Sequence, residues 1–138
     1  MDNVDKIRIR LEKLREFQHY LKEMREVTGD TLRNDIEMRC KAERFLELAV
    51  EACVDIAELL IIDQRLPTPE KASEAITILG DAKILDSEFA KEFSGIAGFR
   101  NILAHDYLKI DYDKVADKLN NHLDDFDTFS RQVAQFLS

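Results

Sequence analysis

The sequence predicts an all-α protein, an up-and-down bundle of about five helices, of which four are long and one is short. Two observations favour this fold class. Apolar residues recur every three or four positions over most of the 138 residues, which is the spacing of amphipathic helices. Only 4 Gly and 2 Pro are present, too few for the many turns of an all-β fold. From this length, we expect residues 1–138 to form a single helical domain with a substantial core.

Two long helices are predicted in the N-terminal half. The first has apolar residues at helical spacing over residues 4–24. It is interrupted at residues 28–30, where Gly29 is expected to adopt the left-handed conformation of a helix C-cap. The second helix is expected over about residues 31–64. Its second half is apolar on more than one face, which indicates a central position in the bundle.

The short helix is predicted to follow a turn that contains both prolines of the chain. Thr68 is a suitable N-cap, and Pro69 fits the first position of a helix. This helix is expected to continue to about Leu79 and to be capped by Gly80.

Two further helices are predicted at the C-terminal end. Asp86 or Ser87 can serve as N-cap of the first, which is expected to continue through residues 89–107. Asp111 is a suitable N-cap for the last helix, in which apolar residues recur at helical spacing over residues 115–136. These helices complete the predicted bundle.

Composition limits the classes of function. The net charge of −8 argues against broad coating of nucleic acid, which needs a basic stripe, but it leaves a small phosphate-binding cleft open. No apolar stretch is long enough to span a membrane, and no secretory signal is visible. Cys40 and Cys53 lack the spacing of metal ligands. We therefore expect a reduced, cytoplasmic protein without a metal or a cofactor.

The most informative segment is residues 98–107, which read GFRNILAHDY. Arg100 is a permanent cation whose shape suits phosphate, and His105 can transfer protons near neutral pH. In a helix, Arg100 and His105 are ~140° apart around the axis, whereas Asn101 and His105 share a face. One copy therefore gives only a loose cluster. Convergence requires local unwinding, or a second copy of the segment across the two-fold axis of a dimer.

Two glycines precede this segment and leave two interpretations open. Gly95 and Gly98 remove side chains from one face of the predicted helix just before Arg100. One interpretation is tight packing inside the chain, for which glycine is often used. The other is close approach of a second helix or of a substrate backbone.

Other polar residues have simpler interpretations. His19 and His122 are interpreted as structural, because neither is expected to have an arginine or a carboxylate placed for chemistry around it. A metal site is not predicted, since the chain has no His-x-x-x-His or Glu-x-x-His array. Tyr107, taken alone, is interpreted as a core aromatic residue whose hydroxyl is hydrogen bonded.

Residues 98–111, GFRNILAHDYLKID, resemble the signature of the HEPN superfamily, and in particular its HepT-like toxin branch. That signature is an arginine with a polar residue directly after it, a histidine separated from the arginine by four residues, and a tyrosine two positions further on. Here these residues are Arg100, Asn101, His105 and Tyr107. The size of the chain and the order of its helices also resemble a minimal HEPN domain.

The resemblance implies a metal-independent endoribonuclease, the toxin of a type VII-like toxin–antitoxin pair, that acts on RNA as a homodimer. The ribose 2′-hydroxyl would attack the adjacent phosphorus at a composite site in the dimer cleft. His105 would be general base or acid, and Arg100 would stabilise charge in the transition state. Asn101 would orient His105 or hold a phosphate oxygen.

The resemblance also implies regulation at Tyr107. A cognate MntA-like nucleotidyltransferase antitoxin would attach AMP there, and the added phosphate beside Arg100 would block the cleft. No membrane partner is expected. Two alternatives are a noncatalytic HEPN module that binds a nucleotide or docks on a nucleotidyltransferase, and a purely structural helical dimer.

Overall fold

The computed structural model describes residues 1–138, and every regular element is helical. The elements are α1 (Asn3–Lys22), α2 (Gly29–Asn34), α3 (Ile36–Asp63), α4 (Ala72–Asp81), α5 (Ser87–Phe93), α6 (Ile96–His105), the 3-10 helix η1 (Tyr107–Lys109), α7 (Tyr112–Asn121) and α8 (Asp124–Leu137). The predicted all-α bundle is confirmed, but it is divided into more helices than expected. None of these helices has the length and apolar character needed to cross a membrane.

The centre of the bundle is α3. Eleven of its residues are buried, and α1, α2, α4 and α6 all pack against it. The buried apolar residues of the chain form a contiguous core of 34 residues, which extends from α1 to α8. The central position predicted for the second long helix is therefore confirmed.

The break between α2 and α3 was not predicted. Asp35 has an extended backbone, and its side chain accepts a hydrogen bond from the N–H of Met38, so it begins a new helix. The left-handed conformation predicted for Gly29 is wrong, because Gly29 is the first residue of α2 and Thr28 is its N-cap. A Cβ atom at Gly29 would overlap the carboxylate of Asp113. That carboxylate ends a flexible and largely exposed side chain, so it can move aside, and neither packing nor backbone conformation requires glycine here.

The predicted beginning and end of the short helix are also wrong. α4 begins after both Thr68 and Pro69, and no side chain caps its N-terminus. Gly80 lies inside the helix, where an added Cβ atom would come within 2.6 Å of the Cβ of Ala90. The residue with positive φ after this helix is Lys83, at 64°. Close packing against the fixed Cβ of Ala90 accounts for the glycine.

The two predicted N-caps of the C-terminal half are confirmed. The side chains of Asp86 and Asp111 each accept a hydrogen bond of 3.0 Å from a backbone N–H in the first turn of the helix that follows. The first predicted helix is divided at residues 94–95 between α5 and α6 and ends at His105, before Tyr107, while the last is divided at residues 122–123 between α7 and α8. The first division makes α6 a separate helix that carries the arginine–histidine segment.

Candidate functional site

The orientation of α6 is set by three buried apolar side chains, those of Ile96, Ala97 and Leu103. They hold the helix against the core, where α6 contacts α3 and α4. Asn101 and His105 are four residues apart, and both are exposed to solvent. The two polar side chains of the motif that are nearest the end of the helix are therefore accessible to a ligand.

Arg100 has a different environment from Asn101 and His105. Its side chain is only 20% exposed, and its Nη1 donates a 3.5 Å hydrogen bond to Oε1 of Glu51 on α3. Its Nε is buried and has no hydrogen-bond acceptor in the chain. No hydrogen bond joins Arg100 to Asn101 or His105. A single copy of the motif thus presents an arginine held against α3 and a histidine facing solvent.

Glu51 belongs to a row of alternating charges across three helices. One turn further along α3, Oδ2 of Asp55 lies 3.8 Å from Nε of Arg10 on α1. Burial is the largest influence on the pKa of the Asp55 carboxyl and raises it. The positive charges of Arg10 and Arg100 lower this pKa, whereas the negative charge of Glu51 raises it. The sequence interpretation missed Glu51, although its spacing of four from Asp55 on a predicted helix indicates a shared acidic face.

The end of α6 opens into a shallow cavity. His105 is the last residue of the helix, and its imidazole makes no hydrogen bond within the chain. A cavity of about 170 Å³ is lined by His105, Asp106, Tyr107, Leu108 and Lys109. The imidazole is therefore free to exchange a proton with a ligand bound there.

Tyr107 is not a core residue, so the interpretation as a core aromatic residue is wrong. It lies in η1, a single turn that is closed by a 2.8 Å hydrogen bond from the N–H of Lys109 to the carbonyl of Asp106. The side chain of Tyr107 is 76% exposed and that of Leu108 is 86% exposed. The phenol can be reached from solvent without any change in the fold.

The two glycines near Arg100 are not packed against anything in the chain. A Cβ atom at Gly98 would meet no atom within 4 Å, and one at Gly95 would meet only the carbonyl of Glu92, at 3.9 Å. Of the two interpretations left open above, tight packing inside the chain is excluded. Close approach from outside the chain is the one that remains.

The two other histidines have carboxylate neighbours, which contradicts the expectation from the sequence. Nε2 of His122 lies 3.2 Å from Asp117, and its Nδ1 lies 3.6 Å from Asp125. Nε2 of His19 lies 3.5 Å from Glu23. These contacts join neighbouring turns, and neither histidine pairs with a residue of α6, so a structural role still describes both residues. No group of three or more His, Cys, Asp or Glu side chains is arranged to hold a metal ion.

Comparison with known proteins identifies relatives over almost the whole chain. Residues 7–133 match a family model described as ribonuclease HepT-like. An mRNA nuclease HepT of Shewanella oneidensis is 27% identical over 121 residues, which cover 86% of this chain and 91% of that protein. A tRNA nuclease HepT of Aphanizomenon flos-aquae is 28% identical over 139 residues, which cover 99% of this chain and 95% of that protein.

Solved structures with the same fold include two toxins bound to antitoxins. A toxin–antitoxin crystal structure with AMP-PNP superposes with a TM-score of 0.86 at 22% identity, covering 95% of this chain and 98% of that chain. The tri-AMPylated HEPN toxin of Shewanella oneidensis, in complex with an MNT antitoxin, gives 0.84 at 22% identity, with coverage of 94% and 96%. The cytosolic protein YutE of Bacillus subtilis, of unknown function, gives 0.76 at 19% identity, with coverage of 94% and 90%.

Proposed function

Because the chain belongs to the HepT-like ribonuclease family, we propose that it is the endoribonuclease toxin of a toxin–antitoxin pair. The observation that carries this proposal is the arrangement on α6. His105 is exposed beside a cavity, and Arg100 keeps most of its N–H donors free. The curated relatives named above are an mRNA nuclease and a tRNA nuclease, which supports RNA as the substrate.

The proposed catalytic unit is a homodimer. Within one chain, Arg100 is turned toward α3 while His105 faces solvent, so one copy gives an incomplete site. The open glycine face of α6 offers a place where a second α6 can approach closely, because Gly95 and Gly98 present no side chains there. A two-fold axis at this face would bring two copies of each motif residue into one cleft.

The proposed chemistry needs neither a metal nor a water nucleophile. His105 of one copy removes the proton of the ribose 2′-hydroxyl, and the oxygen attacks the adjacent phosphorus. The bond from phosphorus to the 5′-oxygen breaks, and His105 of the second copy gives that oxygen a proton. Arg100 stabilises the charge on the phosphoryl oxygens, and Asn101 orients His105 or holds one of those oxygens. The products are a 2′,3′-cyclic phosphate and a 5′-hydroxyl.

Regulation is proposed to act through Tyr107. The exposed phenol would receive AMP from an MntA-like nucleotidyltransferase antitoxin, and the added phosphate would compete with RNA near Arg100. The tri-AMPylated HEPN toxin with the same fold supports this proposal. The intact mass of the chain, after co-production with its nucleotidyltransferase in the cytoplasm, tests it. Failure of the wild type to gain AMP, or equal gain by Tyr107→Phe, would contradict it.

One observation favours the alternative of a noncatalytic module that binds a nucleotide or docks on a nucleotidyltransferase. No hydrogen bond connects Arg100 with His105, and a binding module does not need one. RNA cleavage by the purified chain distinguishes the two proposals, because the alternative allows none.

The test is an RNA cleavage assay with EDTA present. We expect the wild type to cleave, and Arg100→Ala and His105→Ala to lose about 10²–10⁴-fold in rate. His19→Ala, which removes an exposed histidine of α1 that lies outside the motif, is the matched control and should cleave normally. Equal residual cleavage in all variants would indicate a contaminant and contradict the proposal. Products with a 5′-phosphate would exclude attack by the 2′-hydroxyl.

A further inference from the structure

We propose that Glu51 on α3 is a positioning residue for Arg100, and that it also reduces the positive charge that Arg100 presents to a phosphate. Glu51 lies 49 residues before Arg100 in the sequence and is outside the motif. The inference rests on the proposed function, because it takes Arg100 as the cation that contacts RNA phosphate.

The contact between these residues is selective. A guanidinium group has five N–H donors, and the structure engages only one of them, through Nη1 and the carboxylate of Glu51. Nε has no acceptor although it is buried. Glu51 is thus the only side chain that hydrogen bonds to the guanidinium, and it leaves for a ligand the Nη donors that it does not engage.

The neighbouring charges make this pairing specific. Asp55 follows Glu51 by one helical turn and pairs with Arg10 of α1, so each carboxylate of the row has its own arginine. The two carboxylates repel each other, which favours keeping both arginines in place. An ordinary surface ion pair, by contrast, joins two solvated side chains and has no second charged pair beside it. Arg100 is four-fifths buried and is anchored between α3 and α6.

Glu51 is also suited to substitution. Its side chain is 45% exposed and lines a groove of about 310 Å³ between α1 and α3. Removal of its carboxylate therefore enlarges an open groove and leaves no closed cavity in the core. We expect Glu51→Ala to fold, which thermal unfolding followed by circular dichroism will verify.

Positioning and partial neutralisation have opposite effects on binding and on catalysis. Without the carboxylate, Arg100 presents its full charge, so RNA in the ground state binds more tightly. Without a fixed direction, the N–H donors of Arg100 are no longer aligned with the phosphoryl oxygens of the transition state, so cleavage slows. Glu51→Gln separates the two effects, because the amide oxygen still accepts a hydrogen bond but carries no charge.

The first measurement is binding of an RNA oligonucleotide whose 2′-hydroxyls are methylated, so that it cannot be cleaved. We expect Glu51→Ala and Glu51→Gln to bind it about two- to fivefold more tightly, the range that a half-exposed ion pair supports. In the Arg100→Ala background, Glu51→Ala should have no effect. Weaker or unchanged binding in the single variants, or the same change in both backgrounds, would overturn the proposal.

The second measurement is cleavage. We expect Glu51→Ala to lower kcat about 10–100-fold, and Glu51→Gln to retain much of the lost rate. Glu58→Ala removes an exposed glutamate from the same helix and should match the wild type. If the wild type cleaves and Glu51→Ala cleaves equally well, positioning by Glu51 is wrong and the ribonuclease proposal stands. If the wild type does not cleave, the ribonuclease proposal fails. The RNA-binding measurements in the wild-type and Arg100→Ala backgrounds then still test whether Glu51 reduces the charge of Arg100.

Discussion

The four glycines of this chain divide into two pairs that differ in what surrounds them. An added Cβ atom would overlap a neighbouring atom at both Gly29 and Gly80. At Gly80 that neighbour is the fixed Cβ of Ala90, so packing inside the molecule explains this residue, whereas at Gly29 it is the movable carboxylate of the exposed Asp113 side chain. At Gly95 and Gly98 there is open space. Gly95 is the N-cap of α6, where glycine is tolerated, but Gly98 lies inside the helix and reduces its stability for no benefit to the fold. Glycines that packing inside the chain does not explain indicate contact with another molecule, and these two lie close to the proposed catalytic residues in the sequence.

The largest effect on stability is expected at the interior pair. Gly80→Ala would place a Cβ atom 2.6 Å from the Cβ of Ala90, and neither atom is at the end of a flexible side chain. α4 and α5 must move apart, which should reduce the free energy of unfolding by about 1–3 kcal/mol in urea denaturation. Ala90→Gly in the same chain should restore part of that loss. If Gly80→Ala is as stable as the wild type, packing does not require glycine there, and the difference between the two pairs is contradicted.

A smaller effect is expected at Tyr112, which fastens the beginning of α7 to α3. Its hydroxyl donates a 2.7 Å hydrogen bond to Glu43, and the guanidinium of Arg39 lies over its ring. Tyr112→Phe should cost about 1 kcal/mol near neutral pH, measured by urea denaturation. Tyr20→Phe, at an exposed tyrosine of α1, is the matched control.

The same residue predicts a dependence on alkaline pH. Burial, together with the hydrogen bond to Glu43, raises the pKa of Tyr112 to about 12. In the unfolded chain a tyrosine ionises near pH ~10. The stability that the neutral phenol contributes is therefore complete below pH ~10 and is lost as the pH rises through about 12. Thermal unfolding across that range should show the loss in the wild type and not in Tyr112→Phe.

The smallest effect on stability, of opposite sign, is expected at the open pair. Gly98→Ala adds a methyl group where no atom lies within 4 Å, in a helix with ordinary backbone angles. The free energy of unfolding should stay constant or rise by about 0.5–1 kcal/mol. Cleavage and dimer formation, measured by sedimentation, should both decrease, because the methyl group occupies the face proposed for the second α6. Unchanged assembly and unchanged cleavage would show that this face is not part of the dimer interface.

Local signals in the sequence predicted local structure correctly. Asp86 and Asp111 were identified as N-caps because a capping side chain and its partner N–H lie two or three residues apart. The central position of α3 followed from apolar residues on several faces. The conformations predicted for Gly29 and Gly80 were wrong because both glycines lie inside helices, α2 and α4, and neither has a positive φ.

The site shows the same limit. Spacing and the family signature identified Arg100, Asn101, His105 and Tyr107, all within eight residues. Their roles remain predictions, and the structure adds the exposure of each side chain. Glu51 could not be selected from the sequence because it is one of many acidic residues at helical spacing. Only the packing of α6 against α3 brings it to Arg100.

The exposure of Tyr107 has a consequence for timing. A phenol that already faces solvent in the finished fold can be reached without any opening of the chain, so the rate of the proposed modification would depend on how often two folded proteins meet. Such a protein need not be intercepted during synthesis. Under the proposed regulation, the folded protein would be inactivated after translation is complete and kept as an inactive reserve.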